Sequence, residues 1–102
     1  MHKKLDEVVQ KIVNEVAPDR IILFGSRARG DNKKESDYDL CILKRGIRNK
    51  NKMTQKVYKI LYGTGASIDI ILETPSKYNR LKNKWFLIHN EIDRFGKVIY
   101  EK

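Results

Sequence analysis

Four short runs of β-forming residues alternate along this chain with segments whose apolar residues recur at helical spacing. That alternation restricts the fold to one small sheet with helices packed on it. In the first segment Leu5, Val8, Val9, Ile12, Val13 and Val16 make one helical stripe, and Pro18 closes it. Arg20-Ile21-Ile22-Leu23-Phe24 follows, apolar almost throughout, as expected of a strand buried on both faces. Gly25 stops it, and Ser26 is placed to cap a short helical turn over Arg27–Arg29. After a polar loop, residues 37–43 alternate: Tyr38, Leu40 and Ile42 face one way, and Asp37, Asp39 and Cys41 the other. A basic connector, 44–52, leads to a second amphipathic helix bearing Met53, Val57, Ile60 and Leu61, which ends at Gly63. Ser67–Leu72 is another apolar strand, interrupted by Asp69. Tyr78, Leu81, Trp85, Ile88 and Ile92 predict one long helix, and Lys97–Tyr100 a short last strand. The predicted order is α-β-α-β-α-β-α-β, an α/β (α+β) fold with a small mixed sheet flanked by helices.

At 102 residues, with no linker-like shift in composition and no repeat, the chain reads as a single domain over 1–102. Its 22 basic against 13 acidic residues give a net charge of +9, which favours polyanionic ligands. No apolar run reaches the length of a membrane span, and Met1–Glu7 lacks the apolar core of a secretory signal. A cytoplasmic location is the expectation. The single cysteine, Cys41, excludes an internal disulfide and a zinc cluster, and it reads as a small core residue.

The acids carry the functional signal. Asp37 and Asp39 are two apart at the start of a strand, so period-2 geometry points both carboxylates to one side. Asp69 lies between Ile68 and Ile70, where an uncompensated carboxylate is costly. If the two strands are neighbours, three carboxylates converge, and either a proton or cations must relieve the repulsion. Magnesium suits such oxygen ligands and leaves positions for phosphate. Gly25 allows close backbone approach to a phosphate, and Ser26 opens a helix whose free N–H groups favour an anion. Arg27 and Arg29 are near enough in sequence to neutralise a triphosphate. Taken singly, each feature has a plainer reading: a turn, a solvated strand start, an acid paired with an arginine. Residues 25–32, G-S-R-A-R-G-D-N, lack the Lys-Ser/Thr of a P-loop, and Cys41 and Ile42 break a calcium-loop pattern.

Leu23-Phe24-Gly25-Ser26-Arg27-Ala28-Arg29-Gly30, followed by Ser36-Asp37-Tyr38-Asp39-Leu40, resembles the signature of the polymerase-β-like nucleotidyltransferase superfamily. That signature is Gly-Ser, ten residues, then Asp-x-Asp; here Arg27 to Ser36 fill the interval. Ile68-Asp69-Ile70 matches the third acid on a later strand. The resemblance implies that Gly25 and Ser26 bind the β- and γ-phosphates of a nucleoside triphosphate such as ATP. It implies that Asp37, Asp39 and Asp69 hold two Mg²⁺ ions, and that Asp69 helps deprotonate the attacking hydroxyl. In length the chain resembles the minimal nucleotidyltransferases that serve as antitoxins in HEPN/MNT toxin–antitoxin pairs. That likeness implies transfer of AMP to a tyrosine of a cognate HEPN RNase toxin. A chain this short is expected to rely on an acceptor that brings its own binding surface, which favours a protein partner over a small molecule or nucleic acid. The alternatives are an antitoxin acting by binding alone, a nucleotidyltransferase for small molecules or RNA ends, and a basic RNA-binding module.

Between Leu40 and Ile68 there is no acid, and Lys44, Arg45, Arg48, Lys50, Lys52, Lys56 and Lys59 make a basic stretch. It reads either as a solvated face or as a surface for triphosphate, RNA or an acidic partner, without an RNA-binding aromatic motif. Trp85-Phe86-Leu87-Ile88 is too apolar for one stripe; Trp85 and Ile88 fit the core, leaving Phe86 or Leu87 for a partner interface or the sheet edge. His89 reads as a surface or interface residue, and His2 as part of a free terminus.

Overall fold

The computed structural model describes residues 3–102, so Met1 and His2 lie outside the described residues. The described elements are α1 (Lys3–Val16), β1 (Arg20–Phe24), α2 (Ser26–Arg29), β2 (Tyr38–Leu43), α3 (Lys50–Leu61), β3 (Ile68–Glu73), α4 (Pro75–Leu81), α5 (Ile88–Phe95) and β4 (Lys97–Glu101). The strands form one mixed sheet in the order β3-β2-β1-β4. β1 is antiparallel to β2 and β4, and β2 is parallel to β3. A parallel pair needs a crossover connection, and α3 supplies it.

Each face of the sheet carries its own apolar layer. On one, Leu5, Val8 and Ile12 of α1 and Val57 and Leu61 of α3 pack against Ile21, Leu23, Leu40, Ile42, Ile70 and Leu72. On the other, Tyr78 of α4 and Ile92 of α5 pack with Ile22, Phe24, Cys41 and Leu43. Alternate residues of β1 feed both layers, which is why its sequence is apolar almost without interruption. Cys41 is a buried core residue, and burial pushes its thiol up to about 12.

The long helix expected across Tyr78–Ile92 is two helices. A continuous helix over 75–95 would run about 30 Å. Instead the chain turns after Leu81, with Lys84 N–H donating to the Leu81 carbonyl at 3.0 Å and Leu87 N–H to that of Lys84 at 2.9 Å. The Asn90 side chain donates to the Lys82 carbonyl at 2.7 Å and fixes the corner. The turn lets Tyr78 and Ile92 reach the same apolar layer. It leaves the corner in solvent: Trp85 is 83% exposed and Phe86 65%, and Ile88 is exposed too, so neither Trp85 nor Ile88 joins the core. At the β3 edge of the sheet, Ile70 N–H donates to the Tyr58 hydroxyl at 2.8 Å. Among the described residues no helix is long and apolar enough to cross a membrane.

Candidate active site

The site begins where β1 stops. Gly25 has φ 73° and ψ −157°, a conformation open essentially to glycine alone. A Cβ there would overlap Oδ2 of Asp39 and stand 3.0 Å from its Cγ. The missing side chain is what lets the Asp39 carboxylate lie against the turn. Gly25 also holds the cap position of α2: its carbonyl accepts from the N–H groups of Ala28 and Arg29, both at 3.1 Å. Ser26 is therefore the first residue of the helix, not its cap as the sequence suggested. The N–H groups of Ser26 and Arg27, which have no intrahelical acceptor, lie at this turn beside Asp39.

Strand register sets two of the three acids side by side. Across the parallel β2–β3 pair Asp39 is directly opposite Asp69, so both side chains leave the same face of the sheet. Asp37 lies one residue ahead of β2, not within it, and accepts a hydrogen bond from the Ser67 hydroxyl just ahead of β3. Burial pushes the Asp39 carboxyl above the usual range, and the charges of Asp69, Asp37 and, more weakly, Glu91 add to the rise, against a lowering by Arg29. Asp69 is exposed, contrary to the interior position its apolar neighbours suggest. The α4–α5 layer covers the far part of this face, around Cys41 and Leu43, and leaves the start of β2 and β3 open.

The two arginines have different surroundings. Arg27 donates to the carbonyls of Ser36 at 2.9 Å and Lys34 at 3.1 Å, and its guanidinium lies 4.0 Å from the centre of the Tyr38 ring. It braces the loop that delivers Asp37. Arg29 stands 3.4 Å from Asp31 and 3.9 Å from Glu91 on α5. Glu91 was not singled out from sequence; its only signal there is a position one turn before Phe95 on a helix whose placement sequence did not reveal.

A second acid was also missed. Glu73, at the end of β3, is only 4% exposed and within 3.3 Å of Lys50 Nζ and 3.1 Å of His89 Nε2. Burial pushes its carboxyl up, but the hydrogen bonds to His89 and Lys50 outweigh this and hold it below the usual range. His89, expected at the surface or an interface, is mostly buried against this acid. The cluster ties α5 and the start of α3 to the end of β3 remote from Asp69.

The aspartates suit a hard divalent cation by donor type: they offer carboxylate oxygens, Asp39 is raised by burial first and by the charges of Asp69 and Asp37 after it, and Arg29 is the cation that offsets them. Among the described residues, no three His, Cys, Asp or Glu side chains stand close enough together to enclose a metal ion. The acids rim an open edge of the sheet.

Comparison with known proteins identifies the family and the fold. The family described as "Polymerase beta, Nucleotidyltransferase" matches residues 6–102. Two Methanocaldococcus jannaschii proteins, MJ0141 and MJ0604, each named "Putative protein adenylyltransferase", are 37% and 36% identical over 78 and 81 residues. Those stretches cover 76% and 79% of this chain and 75% and 77% of theirs. A crystal structure of a "putative nucleotidyltransferase" from Sulfolobus solfataricus superposes with a TM-score of 0.70 at 21% identity, covering 98% of this chain and 79% of that one. A toxin–antitoxin crystal structure with AMP-PNP gives a TM-score of 0.71 at 16% identity, covering 99% and 75%.

Proposed function

We propose that this chain, which belongs to the polymerase β nucleotidyltransferase family and is a nucleotidyltransferase, transfers AMP from ATP to a tyrosine hydroxyl of a cognate HEPN RNase toxin and so neutralises it. The observation that carries the reading is the in-register pairing of Asp39 with Asp69 beside Gly25, with Asp37 tethered to Ser67. The names of the two Methanocaldococcus proteins support a protein acceptor, and the toxin–antitoxin neighbour supports a toxin as that acceptor. The AMP-PNP in one neighbour supports an adenine nucleotide as donor.

In this reading Gly25 and the first-turn N–H groups at Ser26 hold the β- and γ-phosphates, and Arg29 adds positive charge beside them. Arg27 acts through the loop: by holding residues 34–36 it sets where Asp37 stands. Asp37, Asp39 and Asp69 are the residues that would hold Mg²⁺, two ions in all, and those ions would neutralise phosphate charge. The tyrosine oxygen attacks the α-phosphorus in line, the bond to the bridging oxygen of pyrophosphate breaks, and pyrophosphate leaves. Asp69, the exposed acid, accepts the hydroxyl proton.

The test is to incubate the chain with its HEPN partner, ATP and Mg²⁺ and to measure the intact mass of the partner. The expected result is added AMP, located to tyrosine by fragmentation, and none with Asp37→Asn/Asp39→Asn. Nucleotide transfer that survives in the double variant overturns the assignment of the acids. A double variant that still neutralises the toxin in cells, with no AMP on the partner in the wild type, leaves a binding-only antitoxin.

A further inference from the structure

The basic stretch that sequence left undecided acquires a definite shape in the fold. α3 packs its Val57 and Leu61 side onto the sheet face shared with α1, opposite to the face from which Asp39 and Asp69 project. Its outer side carries Lys52, Lys56 and Lys59, spaced i, i+4 and i+7, so they form one row about 10 Å long. Arg48 extends the row just ahead of the helix, and Tyr62 stands at its other end, 90% exposed.

These cations are not absorbed by the protein's own acids. Lys50 is taken by Glu73, and Arg45 lies 4.0 Å from Asp19. Arg48, Lys52, Lys56 and Lys59 form no ion pair with any described residue; Lys56 Nζ meets only the backbone carbonyl of Glu15, at 3.5 Å. Arg48, Lys52 and Lys56 line a concavity of about 420 Å³ with Asn49 and Met53 at the helix start. No acid occurs from Cys41 through Ile68 to dilute the field.

We propose that the outer face of α3, from Arg48 through Lys52, Lys56 and Lys59 to Tyr62, binds single-stranded nucleic acid. A row of unpaired cations tracks a phosphate backbone, and an exposed aromatic ring at its end stacks a base without regard to sequence. An acidic protein is the poorer fit, because protein interfaces centre on buried apolar or aromatic anchors with charge at the rim. Along this row charge fills the centre and Tyr62 stands at an end, while Tyr58, also exposed on α3, has its hydroxyl turned to β3 by the bond from Ile70 N–H. The surface is independent of the aspartate site, so its test and that of the transferase reading can fail separately.

The experiment is fluorescence anisotropy of a labelled oligouridylate with the intact protein across a salt series. With about four phosphate contacts, the slope of log K against log salt is about −2.8, a loss of about 50-fold between about 50 and 200 mM. Lys52→Gln/Lys56→Gln/Lys59→Gln is expected to flatten the slope to about −0.7 while leaving the melting temperature and nucleotide transfer unchanged. Tyr62→Ala is expected to weaken binding by about 5-fold or more at fixed salt. Failure to bind at about 50 mM salt overturns the proposal, as does a triple variant that keeps the wild-type slope. Polyglutamate that displaces the oligonucleotide at equal charge concentration, with Tyr62→Ala neutral, overturns it in favour of an acidic protein surface.

Discussion

Replacing Gly25 with alanine tests the centre of the site, because the structure assigns two separable penalties to one methyl group. The first is backbone strain: φ 73° and ψ −157° costs an L-residue about 1–3 kcal/mol. The second is the overlap of the new Cβ with Oδ2 of Asp39, which must move the carboxylate away from the turn. At about 4–8 °C per kcal/mol for a domain near this size, strain of about 2 kcal/mol lowers the melting temperature by about 8–16 °C. Transfer should fall more steeply than stability, since the displaced acid is one of the proposed reacting set. The two penalties are separated by adding Asp39→Ala. Removing the carboxylate relieves the overlap and leaves the strain, so the double variant should be more stable than the sum of the single effects predicts, by about 0.5–3 kcal/mol. Thermal melts followed by circular dichroism give the cycle, and partner mass gives transfer. Additive single effects would show that the methyl group never meets Asp39. A Gly25→Ala protein with wild-type melting and transfer would refute the geometry altogether.

Two further predictions concern the acids. Asp39→Asn should raise the melting temperature of the metal-free protein near neutral pH. With the folded value raised, Asp39's favourable contribution is fully present below the ordinary carboxylate range and is lost as pH rises through the folded value, so the gain should vanish in acid. A variant less stable than wild type in EDTA at neutral pH would contradict this. Glu73 has the opposite sign: its lowered carboxyl contributes stability above the ordinary glutamate range that is lost as pH falls through the folded value. Glu73→Gln should therefore lose about 1–3 kcal/mol in urea unfolding at neutral pH, and the difference from wild type should narrow in acid; an undiminished gap there would sink the account.

What sequence revealed was whatever depends on local spacing. β1 was readable because a strand buried on both faces must be apolar at every position, and Gly25 and Asp39 because a turn and an alternation are short-range patterns. The pairing of Asp39 with Asp69 was readable only on the condition that β2 and β3 are neighbours, which strand order alone decides. The broken helix was hidden because Tyr78, Leu81, Trp85, Ile88 and Ile92 satisfy helical spacing. What prevailed was tertiary: Tyr78 and Ile92 share one apolar layer, and the Asn90 bond to Lys82 secures the corner. The exposure of Asp69 was hidden because apolar neighbours report a strand, not whether a helix covers its face. Glu73 was missed because Lys50 and His89, which make its burial tolerable, arrive from 23 residues before it and 16 after.

The bond from Ile70 N–H to Tyr58 has a bearing on how an acceptor can arrive. Ile70 follows Asp69 on β3, which borders the sheet, and an unblocked border invites another polypeptide to dock as an extra strand. The tyrosine occupies a donor such a strand would need, one residue from the acid. A segment docking as an added strand would therefore find that donor already taken, so for the proposed protein acceptor a hydroxyl presented from a loop or a helix is the better fit.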